Sequence, residues 1–354
     1  LVRHEQAAVH MADGYARATG KPGTVLVTSG PGATNTITGI ATAFMDSIPM
    51  VVLCGQVAST LIGEDAFQET DMIGVSRPVV KHNLSVRHPE EIPEVIRKAY
   101  YIASTGRPGP VVVDIPKDMT TPNERYEYAY PKKVKLRSYN PAVRGHAGQI
   151  KKAVDMLMAA KRPIIYAGGG VILGKASSQL TELTQTLGFP ITNTLMGIGC
   201  YPATDKQHLG WLGMHGTYEA NMAMHHSDLI LCVGARFDDR VTGNLAKFAA
   251  KAKVIHLDID AAEVGKRKPA KASLIADLKT SLPALECVVT PKAWCDTNKL
   301  MSEKHAWRYD YPGEKVFAPY LLNQLSQRMP KTGVVCCDVG QHQMWVAQHM
   351  KFNH

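Results

Sequence analysis

The sequence lacks any long apolar run. Its longest continuous apolar stretches have the length of a strand, such as Met50–Cys54 and Val111–Val113, whereas a membrane-spanning helix needs about 20 apolar residues. We therefore expect no membrane segment and no membrane partner. Charged residues make up 20% and apolar residues 45% of the 354 positions, which argues against a disordered chain, a collagen and a coiled coil.

Paired cysteines and a signal peptide pattern are also missing. The seven cysteines are an odd number and form no C-x-x-C pair. A disulfide scaffold is therefore disfavoured, and the composition is typical of a reducing compartment. We expect a cytoplasmic protein.

The basic residues are not concentrated in one place. Forty Lys and Arg against 31 Asp and Glu give a formal charge of +9. The densest runs lie at 131–135 and 266–268, and neither is interleaved with aromatic side chains in the pattern of a nucleic-acid site. Solvated faces explain both runs better, so we expect no nucleic-acid partner.

The two ends are unusual for a complete chain. The sequence starts at Leu1 without a Met and stops at His354, just after what we interpret as the first turns of a helix. At about 150 residues per domain, the length suggests two or three domains. We expect a piece of a longer protein, with two domains and the opening of a third.

Strand-like and helix-like segments alternate through the first part of the chain. Buried strands are predicted at Thr24–Ser29, Met50–Cys54 and Val111–Ile115, and the last is interpreted as all-apolar. Helices are predicted at Thr34–Asp46 and Glu90–Thr105. Continuous apolar strands separated by helices indicate a parallel sheet that is covered on both faces.

A second block of the same kind follows a stretch rich in Pro, Tyr and charge. Its predicted strands are Ile164–Ala167, Leu229–Val233 and Val254–Ile259, and its predicted helices are Gln149–Ala160, Ser177–Leu187 and Leu274–Leu285. After an irregular stretch at Thr290–Phe317, a helix at Pro319–Met329 and a strand at Val334–Cys337 begin a third block. The predicted fold class is α/β, with doubly wound parallel-sheet domains.

Glu5 opens a helix whose apolar face is predicted to be Ala8, Met11, Ala12 and Tyr15. A Glu in the first turn stabilises the helix dipole, so a simple capping role is one interpretation. A zinc site with His4 and His10 is rejected, because histidines six positions apart lie on different helix faces.

Three further segments of the first block combine glycine with polar side chains. Ser29–Asn35 is a strand-to-helix turn of the kind where open α/β sheets bind ligands, or an ordinary tight turn. Gly63–Asp71 is a polar loop with one large aromatic residue, Phe67. Gly106–Lys117 leads through a strand to a lysine just past its end, where site residues and surface lysines both occur.

The middle block has comparable segments. Gly168–Gly170 follows a strand and can cradle a diphosphate, although it is not a G-x-G-x-x-G motif. His256–Asp260 ends a strand with two carboxylates on one face. Gly234–Val241 holds two Arg and two Asp, which form either a surface ion-pair cluster or a phosphate or flavin contact.

Four of these segments belong together: Arg3-His4-Glu5-Gln6-Ala7-Ala8, Ser29–Asn35, 65–70 and Gly106–Lys117. In combination they resemble the catalytic subunits of acetolactate synthase, a thiamine-diphosphate enzyme family. The resemblance covers essentially the whole chain in order. It implies a pyrimidine-binding domain at 1–120 without its first part, a linker at 121–147, a central FAD-binding domain at 148–287, a linker at 288–317, and the start of a diphosphate-binding domain at 318–354.

The resemblance implies decarboxylation of pyruvate and transfer of the two-carbon unit to a second 2-keto acid, pyruvate or 2-ketobutyrate, in branched-chain amino-acid biosynthesis. It assigns Glu5 to the aminopyrimidine of thiamine diphosphate, where a dry cleft is expected to raise the carboxylate's proton affinity. Gln68 and Asn35 are implied as polar contacts of the cofactor or reaction site, and Phe67 and Lys117 as residues lining the substrate channel.

The same resemblance implies the remaining cofactor contacts. For a FAD with no net redox role they are Arg107, Gly168, Gly169, Gly170, Thr194, Leu195, Met196, Met214, His215, Gly234, Arg236, Asp238, Arg240, Val241, Asp258, Ile259, Asp260 and Asp277. For the diphosphate they are Gly340, Gln341 and His342. Mg²⁺ is implied as well, but its ligands fall outside this sequence, so no metal ligand is assigned.

As partners, the resemblance implies a homodimer with the active site between subunits and a small regulatory subunit. The 354-residue chain alone is expected to be inactive. Two positions depart from the family pattern: Ala58 stands where a Pro often contacts inhibitors, and Ala276 precedes Asp277 where Gly is usual.

Two alternatives remain beside this interpretation. One is another thiamine-diphosphate enzyme of the same architecture, such as a pyruvate oxidase or a glyoxylate carboligase. Glu5 disfavours the carboligase, and the segments 65–70 and 237–241 disfavour both. The other is a non-catalytic nucleotide-binding module, which the third block at 319–345 disfavours.

Overall fold

The computed structural model describes residues 1–121, 125–289, 291–310 and 315–353. The chain divides into two compact units, Leu1–Pro141 and Ala142–His354. The division falls within the predicted linker 121–147, of which residues 122–124 lie outside the described part. The domain boundaries of the sequence analysis remain predictions.

The first unit alternates strands and helices. Its strands are β1 (Gly23–Val27), β2 (Met50–Gln56), β3 (His82–Ser85) and β4 (Pro110–Pro116). Its α-helices are α1 (Glu5–Thr19), α2 (Pro31–Thr34), α3 (Ile37–Met45), α4 (Met72–Ser76) and α5 (Ile92–Ser104), and short 3-10 turns include Ser59–Leu61 and Lys117–Thr120.

The four strands form one parallel sheet in the order β1-β2-β4-β3. The central strands β2 and β4 are buried along almost their whole length, as strands of a sheet covered on both faces should be. All four carboxyl ends lie at one edge, which brings the loops after β1, β2 and β4 together.

Three predictions for this unit need correction. Thr24–Ser29 is not a wholly buried strand, because β1 is an edge strand whose alternate residues are exposed, and Leu26 is 76% exposed. The predicted helix Thr34–Asp46 is two helices, α2 and α3, separated by Asn35 and Thr36. Val111–Ile115 is not all-apolar, since it contains the buried Asp114.

The apolar face predicted for α1 is correct at Ala12 and wrong at Met11 and Tyr15. The buried residues are Val9, Ala12, Asp13 and Ala16, whereas Met11 and Tyr15 are 67% and 49% exposed. The helix is turned so that Asp13 lies inward, where its carboxylate accepts a 2.8 Å hydrogen bond from Arg17 Nε. A satisfied buried carboxylate is tolerated in place of an apolar side chain.

The second unit contains a larger sheet. Its strands are β5 (Pro163–Ala167), β6 (Ile191–Asn193), β7 (His208–Trp211), β8 (Leu229–Val233), β9 (Lys253–Asp258) and β10 (Ala272–Ile275). Its α-helices are α6 (Ala147–Ala159), α7 (Gly169–Leu173), α8 (Ser177–Leu187), α9 (Tyr218–His226), α10 (Asp239–Thr242), α11 (Leu278–Ser281), α12 (Lys292–Lys304), α13 (Ala318–Arg328) and α14 (Gln341–His349).

This sheet is parallel throughout, in the order β10-β9-β8-β5-β6-β7. Alternate residues of β5 enter different cores: Ile165 and Ala167 pack with α6 and α8, whereas Ile164 and Tyr166 pack with α9. Because successive side chains of a strand point to opposite faces, this pattern shows a core on each side. The predicted α/β parallel-sheet fold class is confirmed in both units.

Three predictions for the second unit are wrong in part. Leu274–Leu285 is not one helix, because its first residues belong to β10 and only Leu278–Ser281 is α-helical. Val334–Cys337 forms no strand, since these residues lack a ladder and Val334 is 68% exposed. The stretch predicted to be irregular at Thr290–Phe317 contains α12, whose Trp294 is buried and donates to Pro163 O at 2.9 Å.

No helix in the described ranges has the length and apolar character needed to cross a bilayer.

Candidate active site

Glu5 and Asn35 meet at the carboxyl edge of the first sheet. Glu5 is the first residue of α1, and His4 caps this helix by accepting a hydrogen bond from Gln6 N at 3.2 Å. Asn35 follows α2, which begins just after β1. Asn35 Nδ2 donates to Glu5 Oε2 at 3.1 Å, so the structure brings together two residues that the sequence analysis singled out separately.

The environment of Glu5 differs from the expected dry cleft. Its side chain is half-buried, and the hydrogen bond from Asn35, followed by one from the backbone, lowers the pKa of the Glu5 carboxyl. In the chain by itself the pKa of Glu5 is therefore shifted in the direction opposite to that expected for a dry cleft, because a donor bonded to the ionised form outweighs the weak effect of partial burial. The raised proton affinity in the presence of the cofactor stays a prediction.

Two glycines shape the turn beside this pair. A Cβ on Gly32 would lie 2.6 Å from Thr28 Cγ2 and 3.5 Å from Glu5 Oε1. Gly30 has φ +59°, and a Cβ there would lie 2.7 Å from the carbonyl oxygen of Gln68. Larger residues would collide at both positions, so glycine permits the β1–α2 turn to contact both Glu5 and the loop that carries Gln68.

Phe67 and Gln68 lie in the loop between β2 and α4. Phe67 is 89% exposed, and Gln68 is exposed with φ +61°. Gln56 nevertheless ties the two ends of the loop together, because its Nε2 donates to Thr70 O at 2.8 Å and its Oε1 accepts from Val57 N at 2.9 Å. The exposed aromatic ring is therefore held on a structured loop.

Lys117 is the first residue after β4 and is exposed. The next residue, Asp118, accepts hydrogen bonds from Ser59 N at 2.9 Å and Ser59 Oγ at 2.5 Å. Ser59 belongs to the same loop as Phe67. The structure thus places Lys117 beside the Phe67 loop, at the same sheet edge as Glu5.

Asp114 and Gln56 were not predicted from the sequence to be site residues. Asp114 is 5% exposed, and its Oδ1 has no hydrogen-bond partner in the described part of the chain. Burial, aided by the nearby Asp71 and opposed by Gln56, raises the pKa of Asp114 to about 6. The available signal was an acidic residue inside an otherwise apolar strand, which is a common mark of a functional or strained position.

Three glycines of the second unit pack backbone against backbone. A Cβ on Gly168 would lie 2.2 Å from Gly234 O, and one on Gly170 would lie 2.8 Å from Gly234 Cα. The loops after β5 and β8 therefore meet with no side chain between them. Such a bare surface at the carboxyl ends of parallel strands allows close approach of a diphosphate.

The segment after β8 carries the predicted charged residues. Arg236 Nη2 and Asp238 Oδ2 form a 2.7 Å ion pair that is partly exposed. Phe237, between them, is buried with φ +56° and packs against Tyr166 at a ring separation of 5.3 Å. The buried ring anchors the loop, so that the two charged side chains on either side face outward.

The other predicted contacts of this unit lie along the same edge. Met214 N donates to Arg240 O at 3.1 Å, which brings Met214 and His215 beside Val241. Thr194 caps the 3-10 turn that contains Leu195 and Met196, and Met196 Cβ would contact a Cβ on Gly169 at 3.2 Å.

The acidic residues after β9 are held by local hydrogen bonds. Asp258 Oδ1 accepts from Asp260 N at 2.9 Å across Ile259. Asp277 follows the neighbouring strand β10 and caps α11 by accepting from Lys279 N at 2.8 Å. All three carboxylates are partly exposed, which leaves them available to a polar ligand.

Some predicted residues stand apart from these groups. Arg107 belongs to the first unit, where its Nε donates to Ser47 Oγ at 2.8 Å. Gly340 caps the start of α14, with Gln341 and His342 exposed in its first turn. In the described part of the chain, no group of three or more His, Cys, Asp or Glu side chains is arranged to hold a metal ion.

Two parts of the chain match known family profiles. Residues 1–75 match the family profile "Thiamine pyrophosphate enzyme, N-terminal TPP binding domain", and residues 150–285 match "Thiamine pyrophosphate enzyme, central domain". The chain is 54% identical to the acetolactate synthase large subunit of Haemophilus influenzae, and the match covers 100% of this chain and 63% of that protein.

Two further relatives show the same coverage. The chain is 50% identical to the acetolactate synthase isozyme 3 large subunit of Escherichia coli, over 100% of this chain and 63% of the relative. It is 44% identical to the probable large subunit of Methanocaldococcus jannaschii, over 99% of this chain and 62% of the relative. The chain belongs to the thiamine pyrophosphate enzymes, and its sequence is similar to acetolactate synthase large subunits along its whole length.

The two family profiles contain different groups of the candidate site residues. The N-terminal profile contains Glu5, Asn35, Phe67 and Gln68. The central profile contains the three packed glycines, Gly168, Gly170 and Gly234, and the Arg236–Asp238 pair. Lys117 and the start of α14 lie outside both matched ranges. The chain spans about 63% of the length of the curated relatives it matches most strongly.

Proposed function

We propose that this chain supplies the thiamine-diphosphate and FAD sites of an acetolactate synthase catalytic subunit. The whole protein would decarboxylate pyruvate and join the two-carbon unit to a second 2-keto acid, either pyruvate or 2-ketobutyrate. The observation that carries the proposal is the Glu5–Asn35 pair at a sheet edge, inside the range matched by the thiamine-pyrophosphate-binding profile.

The residues around Glu5 fit an aminopyrimidine ring. The Asn35 amide holds Glu5 Oε2, and Gly32 places no side chain against Glu5 Oε1. The lowered pKa of Glu5 keeps the carboxylate ionised at neutral pH. An ionised carboxylate can accept a hydrogen bond from a protonated ring nitrogen and share its proton.

Thiamine diphosphate, when bound, supplies an acidic carbon that acts as a nucleophile and then as an electron sink. Glu5 would hold the proton of the ring, and Asn35 would fix the orientation of Glu5. Gln68 would donate to polar atoms of the cofactor or substrate from the loop that contacts Gly30. Binding the ring would also remove water from the half-buried Glu5 and thereby strengthen these hydrogen bonds.

Phe67 and Lys117 would line the path of the 2-keto acid. The exposed Phe67 ring offers an apolar surface to the methyl or ethyl group of the substrate, and the exposed Lys117 ammonium attracts its carboxylate. Their loops are joined through the Asp118–Ser59 hydrogen bonds, which supports a shared role.

The second unit fits the FAD of this proposal. Backbone contact among Gly168, Gly170 and Gly234, together called the glycine cradle, leaves no space for a Cβ at these positions. Bare backbone at the strand ends would therefore face the diphosphate. Arg236 and Arg240 would offset phosphate charge, and the carboxylates near the ends of β9 and β10 would bind hydroxyl groups of the ribose. This flavin would have a structural role, without net redox change.

The remaining elements of the proposal concern the whole protein. Gly340, Gln341 and His342 would contact the diphosphate, and Mg²⁺ would be bound by ligands other than those described here. A homodimer with the active site between subunits, a small regulatory subunit and a cytoplasmic location complete the proposal.

The test is an assay of the whole gene product. Purified protein should contain FAD and form acetolactate from pyruvate only when thiamine diphosphate and Mg²⁺ are present. The 354-residue chain should form none. Acetate formation with reduction of the flavin, and no acetolactate, would identify an oxidase and overturn the proposal.

A further inference from the structure

We propose that Glu69 is a positioning residue that fixes Phe67 and Gln68 in their working orientation. This inference deepens the proposed function and rests on it, because Phe67 and Gln68 matter only if they contact substrate or cofactor. Glu69 itself has no assigned role, and its side chain is only half-exposed beside the fully exposed Phe67.

Phe67 and Gln68 occupy the two central positions of a β-turn. Glu69 N donates to Ala66 O at 2.9 Å and closes the turn. Gln68, at the third position, has φ +61°, a conformation that glycine or asparagine normally supplies in such turns. A glutamine in this conformation persists only when the surrounding structure enforces it.

The Glu69 carboxylate holds the turn in this conformation. Its Oε1 accepts from Gly63 N at 2.5 Å and its Oε2 accepts from Ala66 N at 3.0 Å. The backbone N–H groups of Glu64 and Asp65 also face it, and together these donors lower the pKa of Glu69. Successive backbone N–H groups that converge on an anion form a nest, and here the anion is a side chain of the same loop.

Glu69 therefore holds Ala66 from both sides. The carboxylate binds the N–H of Ala66, and the backbone N–H of Glu69 binds its carbonyl oxygen. The segment from Gly63 to Glu69 is closed into a ring, from which Phe67 and Gln68 project outward.

The rest of the loop is fixed independently of Glu69. Gln56 ties its two ends to each other, Asp118 holds Ser59, and Gly30 lies against the backbone of Gln68. Removing the Glu69 carboxylate should therefore loosen only the 63–68 segment and leave the loop attached. This separation makes the role of Glu69 testable without unfolding the protein.

Three variants of the whole gene product test the inference. Glu69→Ala removes both acceptors, and Glu69→Gln keeps one acceptor oxygen. Glu64→Ala is the matched control, because Glu64 is an exposed carboxylate of the same loop whose side chain makes no hydrogen bond in the described residues. Each is measured by amide hydrogen exchange over residues 57–71, by kcat and KM for pyruvate, and by thiamine-diphosphate and FAD affinity.

Glu69→Ala should speed exchange of the Gly63 and Ala66 amides at least tenfold and lower kcat/KM for pyruvate by about 10- to 100-fold, since small misplacements of substrate-positioning groups have effects of this size. Glu69→Gln should lie between Glu69→Ala and wild type, and Glu64→Ala should match wild type. The affinity for FAD should stay within about twofold in every variant, because none of its proposed contacts lies in this loop. The affinity for thiamine diphosphate should fall in Glu69→Ala to the extent that Gln68 contacts that cofactor.

Unchanged exchange in both Glu69 variants would overturn the inference, and so would faster exchange with unchanged kcat/KM. If Glu69→Ala does not fold, the same two outcomes in Glu69→Gln alone would overturn it. A wild-type protein that forms no acetolactate would refute the proposed function instead, while the exchange data would still show whether Glu69 orders the loop.

Discussion

Asn35 donates a 3.1 Å hydrogen bond to the carboxylate of Glu5 across 30 positions of sequence. The bond joins the first turn of α1 to the residue that ends α2, so it connects the two elements on either side of the candidate pyrimidine site. It is also the largest cause of the lowered pKa of Glu5. The Asn35 amide is thus the largest single influence on the pKa of the Glu5 carboxyl.

The first prediction concerns that amide. Asn35→Ala in the whole gene product should raise the pKa of Glu5, because the ionised form loses its donor. If ionised Glu5 is required, the acidic limb of the kcat/KM profile for pyruvate should move to higher pH. Thr34→Ala is the control, since among the described residues Thr34 Oγ1 bonds only to Pro31 O, in its own turn. An acidic limb that does not move would contradict the coupling.

The second prediction concerns Asp114. Its pKa of about 6 in the folded protein lies above the ordinary 3.8, so folding favours the protonated acid. The contribution of Asp114 to the free energy of unfolding is therefore greatest below pH 3.8 and falls as the pH rises from 3.8 to about 6. Asp114→Asn should therefore stabilise the protein, and the gain at pH 8 should exceed that at pH 5 by about 1 kcal/mol. Urea unfolding at both pH values measures this difference.

Asp118 provides a control of opposite sign. Ser59 lowers the pKa of Asp118, so the stability that Asp118 contributes is present above its unfolded pKa and is lost as pH falls through the folded pKa. Asp118→Asn should destabilise the protein at pH 8, with a smaller effect at low pH. If the changes in unfolding free energy caused by Asp114→Asn and Asp118→Asn follow the same pH trend, burial does not set the pKa of Asp114.

The third prediction tests the glycine cradle. Gly168→Ala would place a Cβ 2.2 Å from Gly234 O, and neither backbone can move away because both loops start at buried strands. We expect a loss of about 2 kcal/mol or more in unfolding free energy and at least tenfold weaker FAD binding, measured by unfolding and by flavin fluorescence. Retention of wild-type FAD affinity would contradict the assignment of the cradle.

Gly14→Ala is the contrasting substitution. Gly14 lies inside α1, and a Cβ there would meet nothing within 4 Å. Alanine should stabilise this helix by about 1 kcal/mol and leave FAD binding unchanged.

Sequence patterns predicted the parts of the fold where local and tertiary signals agree. The strands at Met50–Cys54, Ile164–Ala167 and Leu229–Val233 are buried on both faces, so their continuous apolar runs identify them. Short strands such as β3 and β6 escaped prediction, because three or four residues give too little periodicity. Val334–Cys337 has strand-like residues, but a strand also needs a pairing partner, which the sequence of the segment does not specify.

The candidate site also has some features that the sequence predicted and others that it did not. Glu5, Asn35 and the glycine turns were predicted because the segments that contain them together resemble a known family, although each segment alone also has an ordinary structural interpretation. The hydrogen bond between Glu5 and Asn35, the lowered pKa of Glu5 and the nest around Glu69 depend on distances between side chains and backbone groups. No one-dimensional pattern encodes these distances, so only the structure supplied them.

The most direct test of the whole account is Glu5→Gln in the whole gene product. The substitution keeps the size of the side chain and removes the charge that would hold the ring proton, while the proposed FAD contacts are untouched. Glu64→Gln, at an exposed carboxylate, is the matched control. We predict that Glu5→Gln lowers acetolactate formation from pyruvate at least about 100-fold with unchanged FAD content, whereas wild-type activity in this variant would contradict the account.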